Sequence, residues 1–408
     1  MHVLFIAPNF PANQREFVRA LHAVGAKVTG IGDTAPEHID PELKGWMHGY
    51  EHVRSLGDED AVLEAVRRCQ RRGWVDRLEC TIEAHMLPTA RVRAAAGIPG
   101  LSVEQVTLCR DKFHMKQFLR ERGIPCAKNA AVSTLDEARR AAADIGYPLI
   151  VKPRDGAGAY GTSKCNDAGE LDAALIELGI GGPRKISVAL EEFMSGHEGF
   201  YDTLTVNGDV VFEAVCHYYP NVLDAMRNRW ISPYIIVTNR VDAPGYAELK
   251  VFGRKVIDAF QLGTTPTHME WFFGPKGLSF SELGARPPGV RVWDLYCWAN
   301  DMDLYVEWAR AIATGQSSPR PSRQYSAGLI SIRPNKDGRI VGYSGLDQVN
   351  RAFGKWIGDV HLPQVGSRTA PVGAGYMGHA WMHVRHPDYD ECRRMLDVIG
   401  QTVRMWAE

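Results

Sequence analysis

Glu270 and Glu282 stand in two alternating apolar runs, Thr267-His-Met-Glu270-Trp-Phe-Phe and Phe280-Ser-Glu282-Leu, joined by Gly274-Pro-Lys-Gly277. The pattern predicts a hairpin of strands over 266–273 and 278–283, and pairing would set the two carboxylates side by side. Like charges that close repel, and a divalent cation relieves the repulsion. Mg²⁺ suits such a pair, because it takes one or two carboxylates and completes its shell with phosphate oxygens. Without a ligand, the pair would be exposed acids that weaken their own sheet. Arg286 and Arg291 follow in Gly284-Ala-Arg286-Pro-Pro-Gly289-Val-Arg291. A guanidinium beside a metal can clamp a transferring phosphoryl group. His268, read as facing away from Glu270, is either packed in the core or supports a ligand residue from behind.

Upstream residues suggest phosphate chemistry. Lys152 ends an apolar strand over 149–151 and precedes Pro153. Burying it is costly without an anion, which a phosphate would supply; a solvated strand edge is the other reading. Gly156-Ala-Gly158-Ala-Tyr-Gly161 matches G-x-G-x-x-G by letter, but residues 162–166 open no helix, so the dinucleotide-binding context is missing. The loop suits a hairpin whose N–H groups approach phosphate closely, or a plain surface hairpin. Glu191-Glu192-Phe193-Met194 ends a strand over 189–194, and Glu198 follows. Carboxylates there could read a base and a ribose, or form a solvated acidic turn. Lys112, in Arg110-Asp-Lys112, reads by itself as a helix-surface lysine. The stretch from His217 to Trp230 is long for a connection between strands. Within it Arg227 or Arg229 could bind a substrate carboxylate and Trp230 could line a pocket; a mobile surface excursion is the alternative. Trp293, Tyr296 and Trp298 follow Arg291 at helical spacing, which favours core over pocket. No P-loop, G-x-S-x-G elbow or H-E-x-x-H occurs.

The elements that must position these groups are legible in outline. Over 1–100, strands (2–7, 27–31, 77–82) alternate with helices (15–24, 60–72, 87–96), which predicts a parallel sheet. Ser102-Val-Glu-Gln105 is a capping box for a helix running to about 122. Thr134 and Asp167 cap further helices that end at 146 and 178. Asn207-Gly208 marks a hairpin between strands over 199–206 and 209–217. A helix over 247–260, strands over 327–333 and 381–385, and a closing helix over 389–405 complete the chain. The expected class is α/β (α+β), divided as 1–100, 101–190 and 191–408.

Composition bounds the partners. The 408 residues carry 47 Lys plus Arg against 48 Asp plus Glu, a net charge of −1, which counts against a nucleic-acid binder. No apolar run approaches a membrane span, and MHVLFIAPNF lacks the basic flank of a signal peptide. The eight cysteines form no CxxC, so a cytoplasmic protein without zinc or a redox dithiol is expected.

The order of the motifs is more specific than any one of them. A helix lysine, a strand lysine, a glycine loop, strand-end acids, a two-glutamate hairpin and then arginine resembles the ATP-grasp superfamily, from 101 to about 315. Ala96-Gly-Ile-Pro-Gly100 extends the likeness to the preceding lobe. His268-Met-Glu270-Trp-Phe and Glu282-Leu-Gly-Ala-Arg-Pro-Pro-Gly289 are most similar to carboxylate–amine ligases of the L-amino-acid (dipeptide) ligase and carnosine-synthase kind. The resemblance implies an ATP-grasp fold: an N-terminal parallel α/β domain, a small lid and a larger antiparallel catalytic lobe. It implies ATP and Mg²⁺ (or Mn²⁺) as cofactors, small carboxylate and amine substrates of the amino-acid class, and a homodimer as one assembly. Lys112 and Lys152 would contact ATP phosphates under a lid loop of Gly156, Gly158 and Gly161. Glu191 and Phe193 would meet the adenine edge through backbone, Met194 and Phe272 would pack on the base, and Glu198 would hold the ribose. Glu270 and Glu282 would bind the metal, and Arg286 would stabilise the phosphoryl group or acyl phosphate. Gly284 departs from the pattern, since many members carry Asn there as a metal ligand. A purine-pathway carboxylase-like ligase and a non-catalytic nucleotide-binding protein are the rival readings.

Overall fold

The computed structural model describes residues 1–154, 161–183, 186–289, 291–371 and 380–408. Gly156 and Gly158 lie outside them.

His2–Ile6 (β1), Lys27–Gly32 (β2), Gly49–His52 (β3) and Arg77–Glu79 (β4) form a sheet in the order β3-β2-β1-β4, every pair parallel. All of β1 is buried, as a parallel strand covered on both faces must be. Leu4 and Ile6 share a core with Val62 and Val66 of helix Glu59–Arg72. Val3 and Phe5 share another with Phe17 and Leu21 of helix Gln14–Ala23. Phe17 also meets Trp308 of helix Leu304–Thr314 edge-on at 5.0 Å, tying this sheet to the later part of the chain.

A second sheet is antiparallel: Asn129–Val132 (β5), Leu149–Pro153 (β6), Ser163–Cys165 (β7) and Val188–Glu192 (β8), in the order β5-β8-β6-β7. Helices Leu135–Ile145 and Ala168–Glu177 cover it, and Thr134 and Asp167 accept the N3 N–H bonds that open them. Leu149, Val151, Leu171, Leu175 and Leu190 form its core.

The third sheet comprises His197–Val206 (β9), Asp209–Tyr219 (β10), Tyr234–Val237 (β11), Thr265–Gly274 (β12), Gly277–Gly284 (β13) and Ser326–Ile332 (β14). After Ile340–Ser344 (β15) come Ile357–His361 (β16) and Ala380–His386 (β17). The antiparallel order is β13-β12-β9-β10-β11-β14-β17-β16. Asn207 (φ 54°) and Gly208 (φ 96°) turn β9 into β10; both need positive φ, which Asn and Gly tolerate best. The fold expected from the sequence, one parallel sheet followed by antiparallel ones, is therefore the one found.

Three local expectations change. The helix expected over 102–122 is two, Val103–Arg110 and Lys112–Arg120. Asp111 interrupts it, because its carboxylate accepts the N–H of Phe113 (3.1 Å) and His114 (3.2 Å) and recaps the chain. The closing helix stops at Thr402, and Arg404–Ala407 (β18) then pairs with β15. The connection from 217 to 230 contains a short helix, Val222–Arg227. Among the described residues, no helix is long and apolar enough to cross a membrane.

Candidate active site

The second and third sheets face each other across a cavity of about 400 Å³, closed on one side by helix Lys112–Arg120. The β12–β13 register sets Glu270 directly opposite Glu282. Both carboxylates line the cavity, and so does Glu198 of β9. Lys112, at the first turn of its helix, reaches Glu282 at 3.1 Å and is not a surface lysine. Burial pushes the Glu282 carboxyl up, but Lys112 and Lys152 outweigh it and hold it at about 2. For Glu198 the pull of Lys152 is the weaker effect. Burial, with Glu270 beside it, pushes its carboxyl up to about 8, although it accepts the Val222 N–H at 2.7 Å.

The donor set fits a hard divalent cation. Glu270 and Glu282 repel each other unless a cation lies between them. Among the described residues, no group of three or more His, Cys, Asp or Glu side chains has an arrangement that could by itself hold a metal ion. A metal here would thus draw its remaining ligands from phosphate oxygens and water, as Mg²⁺ does.

The cavity's opposite wall is cationic. Lys152 lies 2.8 Å from Glu191 Oε2, and Lys116 lies 2.7 Å from Glu191 Oε1. The Glu191 carboxylate, 5% exposed, is therefore engaged by two ammonium groups and is not presented to a base edge. Burial raises its carboxyl, yet Lys116 and Lys152 leave it below the usual range. Phe193, Met194 and Phe272 line an apolar part of the cavity, and Lys164 caps the Phe193 ring at 3.9 Å. Gly161 has φ 67° and packs near Pro153 beside this wall.

Arg286 joins the cavity to the parallel sheet. Its Nε donates to Glu83 at 2.8 Å, and Glu83 opens the helix that follows β4. Arg286 also lies against Gly284, where an added Cβ would sit 3.5 Å from its guanidinium. A longer side chain at 284 would thus crowd the arginine.

The expected facing of His268 is corrected, although the residue is buried as expected. Residues two apart on a strand share a face, so His268 points with Glu270 into the cavity. Its Nδ1 lies 2.8 Å from Asp202, and its Nε2 lies 3.7 Å from Glu270. Burial favours the neutral ring, but Asp202 outweighs it and lifts His268 to about 9.

The substrate candidates Arg227, Arg229 and Trp230, and with them Arg291, separate. Arg227 lines the cavity. Arg229 turns away to Asp337 at 2.7 Å, and Trp230 is 82% exposed and outside the cavity wall. Arg291 is also outside it: it adopts φ 63° ahead of helix Val292–Asn300, pairs with Asp294 and Asp359, and stacks over Trp381. Sequence reasoning missed Lys116, Glu83, Asp202 and Tyr218, whose hydroxyl donates to Glu270 at 3.2 Å. A signal existed only for Lys116, which stands four residues after Lys112 on the same helix face.

Residues 111–195 match the family model of the carbamoyl-phosphate synthase L chain ATP-binding domain. The L-arginine-specific L-amino acid ligase of Bacillus subtilis is 29% identical over 245 residues, 57% of this chain and 58% of that protein. The chain thus spans just over half the length of that relative. Among solved structures, an L-amino acid ligase from Bacillus licheniformis superposes with a TM-score of 0.78 at 18% identity, covering 100% of this chain and 98% of the other. N5-carboxyaminoimidazole ribonucleotide synthetase from Thermotoga maritima gives 0.70 at 16% identity, with 100% and 99% covered. The fold of this chain is the mixed α/β fold of these ligases and synthetases, and residues 111–195 are the part similar to an ATP-binding domain.

Proposed function

We propose that the protein is an ATP-dependent carboxylate–amine ligase that joins small amino-acid-like substrates through an acyl phosphate. One observation carries the reading: a single cavity sets two opposed glutamates against Lys112, Lys152 and Arg286. That is the charge pattern a nucleoside triphosphate with a divalent cation requires. The relationship to an L-amino acid ligase supports the choice of acceptor class.

In this reading Met194, Phe193 and Phe272 hold the base, and Glu198 holds the ribose hydroxyls. Lys112 and Lys152 neutralise phosphate oxygens, while Glu270 and Glu282 hold the metal, which when bound supplies further charge neutralisation. A substrate carboxylate oxygen attacks the γ-phosphorus, the bond to the bridging oxygen breaks, and ADP leaves. The amine nitrogen then attacks the acyl carbon, the C–O bond to phosphate breaks, and the extra proton on nitrogen passes to phosphate or solvent. Arg286 faces the anion in both steps. Positioning and charge compensation suffice, and no nucleophilic side chain is needed. Carboxylate labelled with ¹⁸O tests the route: one label should appear in the released phosphate. Label confined to the amide product and unreacted acid would contradict an acyl phosphate.

The likeness to N5-carboxyaminoimidazole ribonucleotide synthetase favours one second reading, a carboxylase-like ligase. It requires ADP release that depends on bicarbonate rather than on an amino acid.

A further inference from the structure

Among the described residues, Lys116 is the least exposed of the lysines that line the cavity. Its side chain is 1% exposed, whereas those of Lys112 and Lys152 keep 11% and 12%. A buried ammonium is costly unless paired. Its one ion-pair partner among the described residues is Glu191 Oε1, and neither atom has a partner with hydrogen-bond geometry, so the contact is one of charge. Glu191 offers its other oxygen to Lys152. Three charges thus share one line: ammonium, carboxylate, ammonium.

The sum of those charges matters. With Lys116 present the trio carries a net charge of +1, and that charge faces the cavity through Lys152. Without Lys116, Glu191 and Lys152 would form a neutral pair. Lys152 would then be held by its carboxylate and would offer little net field to an anion. Lys112 cannot compensate, because it is engaged with Glu282.

Resting on the nucleotide-binding reading above, we propose that Lys116 is a positioning residue that cancels Glu191 and so leaves the charge of Lys152 unneutralised towards the phosphates of ATP. It acts through Glu191 and touches no substrate.

The test is direct binding of ATP with Mg²⁺ by calorimetry, with thermal melts as a folding control. Lys116→Met is expected to raise the Kd by about tenfold or more, as the loss of one net charge at a partly desolvated site would. The double variant Lys116→Met/Glu191→Gln removes the carboxylate as well, which again leaves Lys152 uncancelled. It is expected to recover most of the lost affinity. A purely structural role predicts the reverse, since two buried changes should be no better than one. Glu191→Gln alone frees both lysines and is expected to bind ATP at least as tightly as wild type; it supplies the reading should Lys116→Met not fold. A double variant no tighter than the single, or Glu191→Gln weaker than wild type, overturns the inference while wild-type binding stands. Wild-type protein that binds no ATP overturns the nucleotide reading and this inference together.

Discussion

At the scale of the residue, the site depends on opposed charges held in place before any ligand arrives. Glu282 illustrates this, because Lys112 and Lys152 keep it ionised at about 2 despite burial. Glu282→Ala should lower turnover by about 10³-fold or more, since it removes charge stabilisation at the transferring phosphoryl group. The melting temperature should stay near wild type, and near-normal turnover would contradict its role as a metal ligand. Arg286 is set by Glu83 at 2.8 Å. Glu83→Gln keeps the shape but removes the charge. It should lower kcat about tenfold with little change in ATP affinity, as loss of orientation at the acyl phosphate would. Equal loss of ATP binding would show that Glu83 acts elsewhere. Some of this was legible beforehand. The hairpin around Gly274–Gly277 could be read from sequence, but its regular register would set Glu270 opposite Ser281, and a register shift between Glu270 and Trp271 is what sets it opposite Glu282. Lys116 offered one signal, its place four residues after Lys112, but a buried helix lysine and a solvated one look alike until the facing carboxylate is known. His268 was misread by a miscounted strand period, and Arg291 and Trp230 were misread because a loop's direction is set by packing that no local motif encodes.

At the scale of the element, breaks in regular structure aim the side chains. Asp111 divides one expected helix into two, and this places Lys112 in a first turn facing Glu282. Asp111→Ala should cost about 1 kcal/mol of stability from the lost cap, measured by denaturant unfolding. It should also weaken ATP binding, since Arg154 pairs with the same carboxylate. The rear of the third sheet carries a different dependence. His217 is buried with His197 at 2.8 Å and Tyr246 at 2.7 Å. Burial, then His197, lowers it from its ordinary 6.5 to about 3. The unfolded chain takes up this proton below 6.5, while the folded chain does not until about 3. Stability should therefore fall as pH drops across that window, by at most about 1.4 kcal/mol per unit from this group. His217→Gln should flatten the slope of melting temperature against pH between those limits, and an unchanged slope would assign acid sensitivity to other groups. The caps at Ser102, Thr134 and Asp167 were readable because each capping sequence is local. The helix end at Thr402 was not, since β18 exists only by pairing with the distant β15.

At the scale of the molecule, three sheets divide the work. The second sheet supplies Lys152, the third supplies the glutamates, and the parallel sheet reaches the cavity through Glu83 and Arg286. The near-zero net charge hides this arrangement, because cations and carboxylates face each other across one cavity. The parallel sheet and the two hairpins were legible from alternating and then hairpin-joined strands, whereas the order of strands within each sheet and the packing of one sheet on another were not. The central claim is that this cavity couples ATP cleavage to amide formation. Measuring ADP release across pairs of amino acids, with the product identified by mass spectrometry, tests it most directly. The account predicts ADP and a new amide in equal amounts, dependent on both substrates and on Mg²⁺, and lost in Glu282→Ala. ADP release that needs no amine, or tight ATP binding with no amide from any pair, would contradict it.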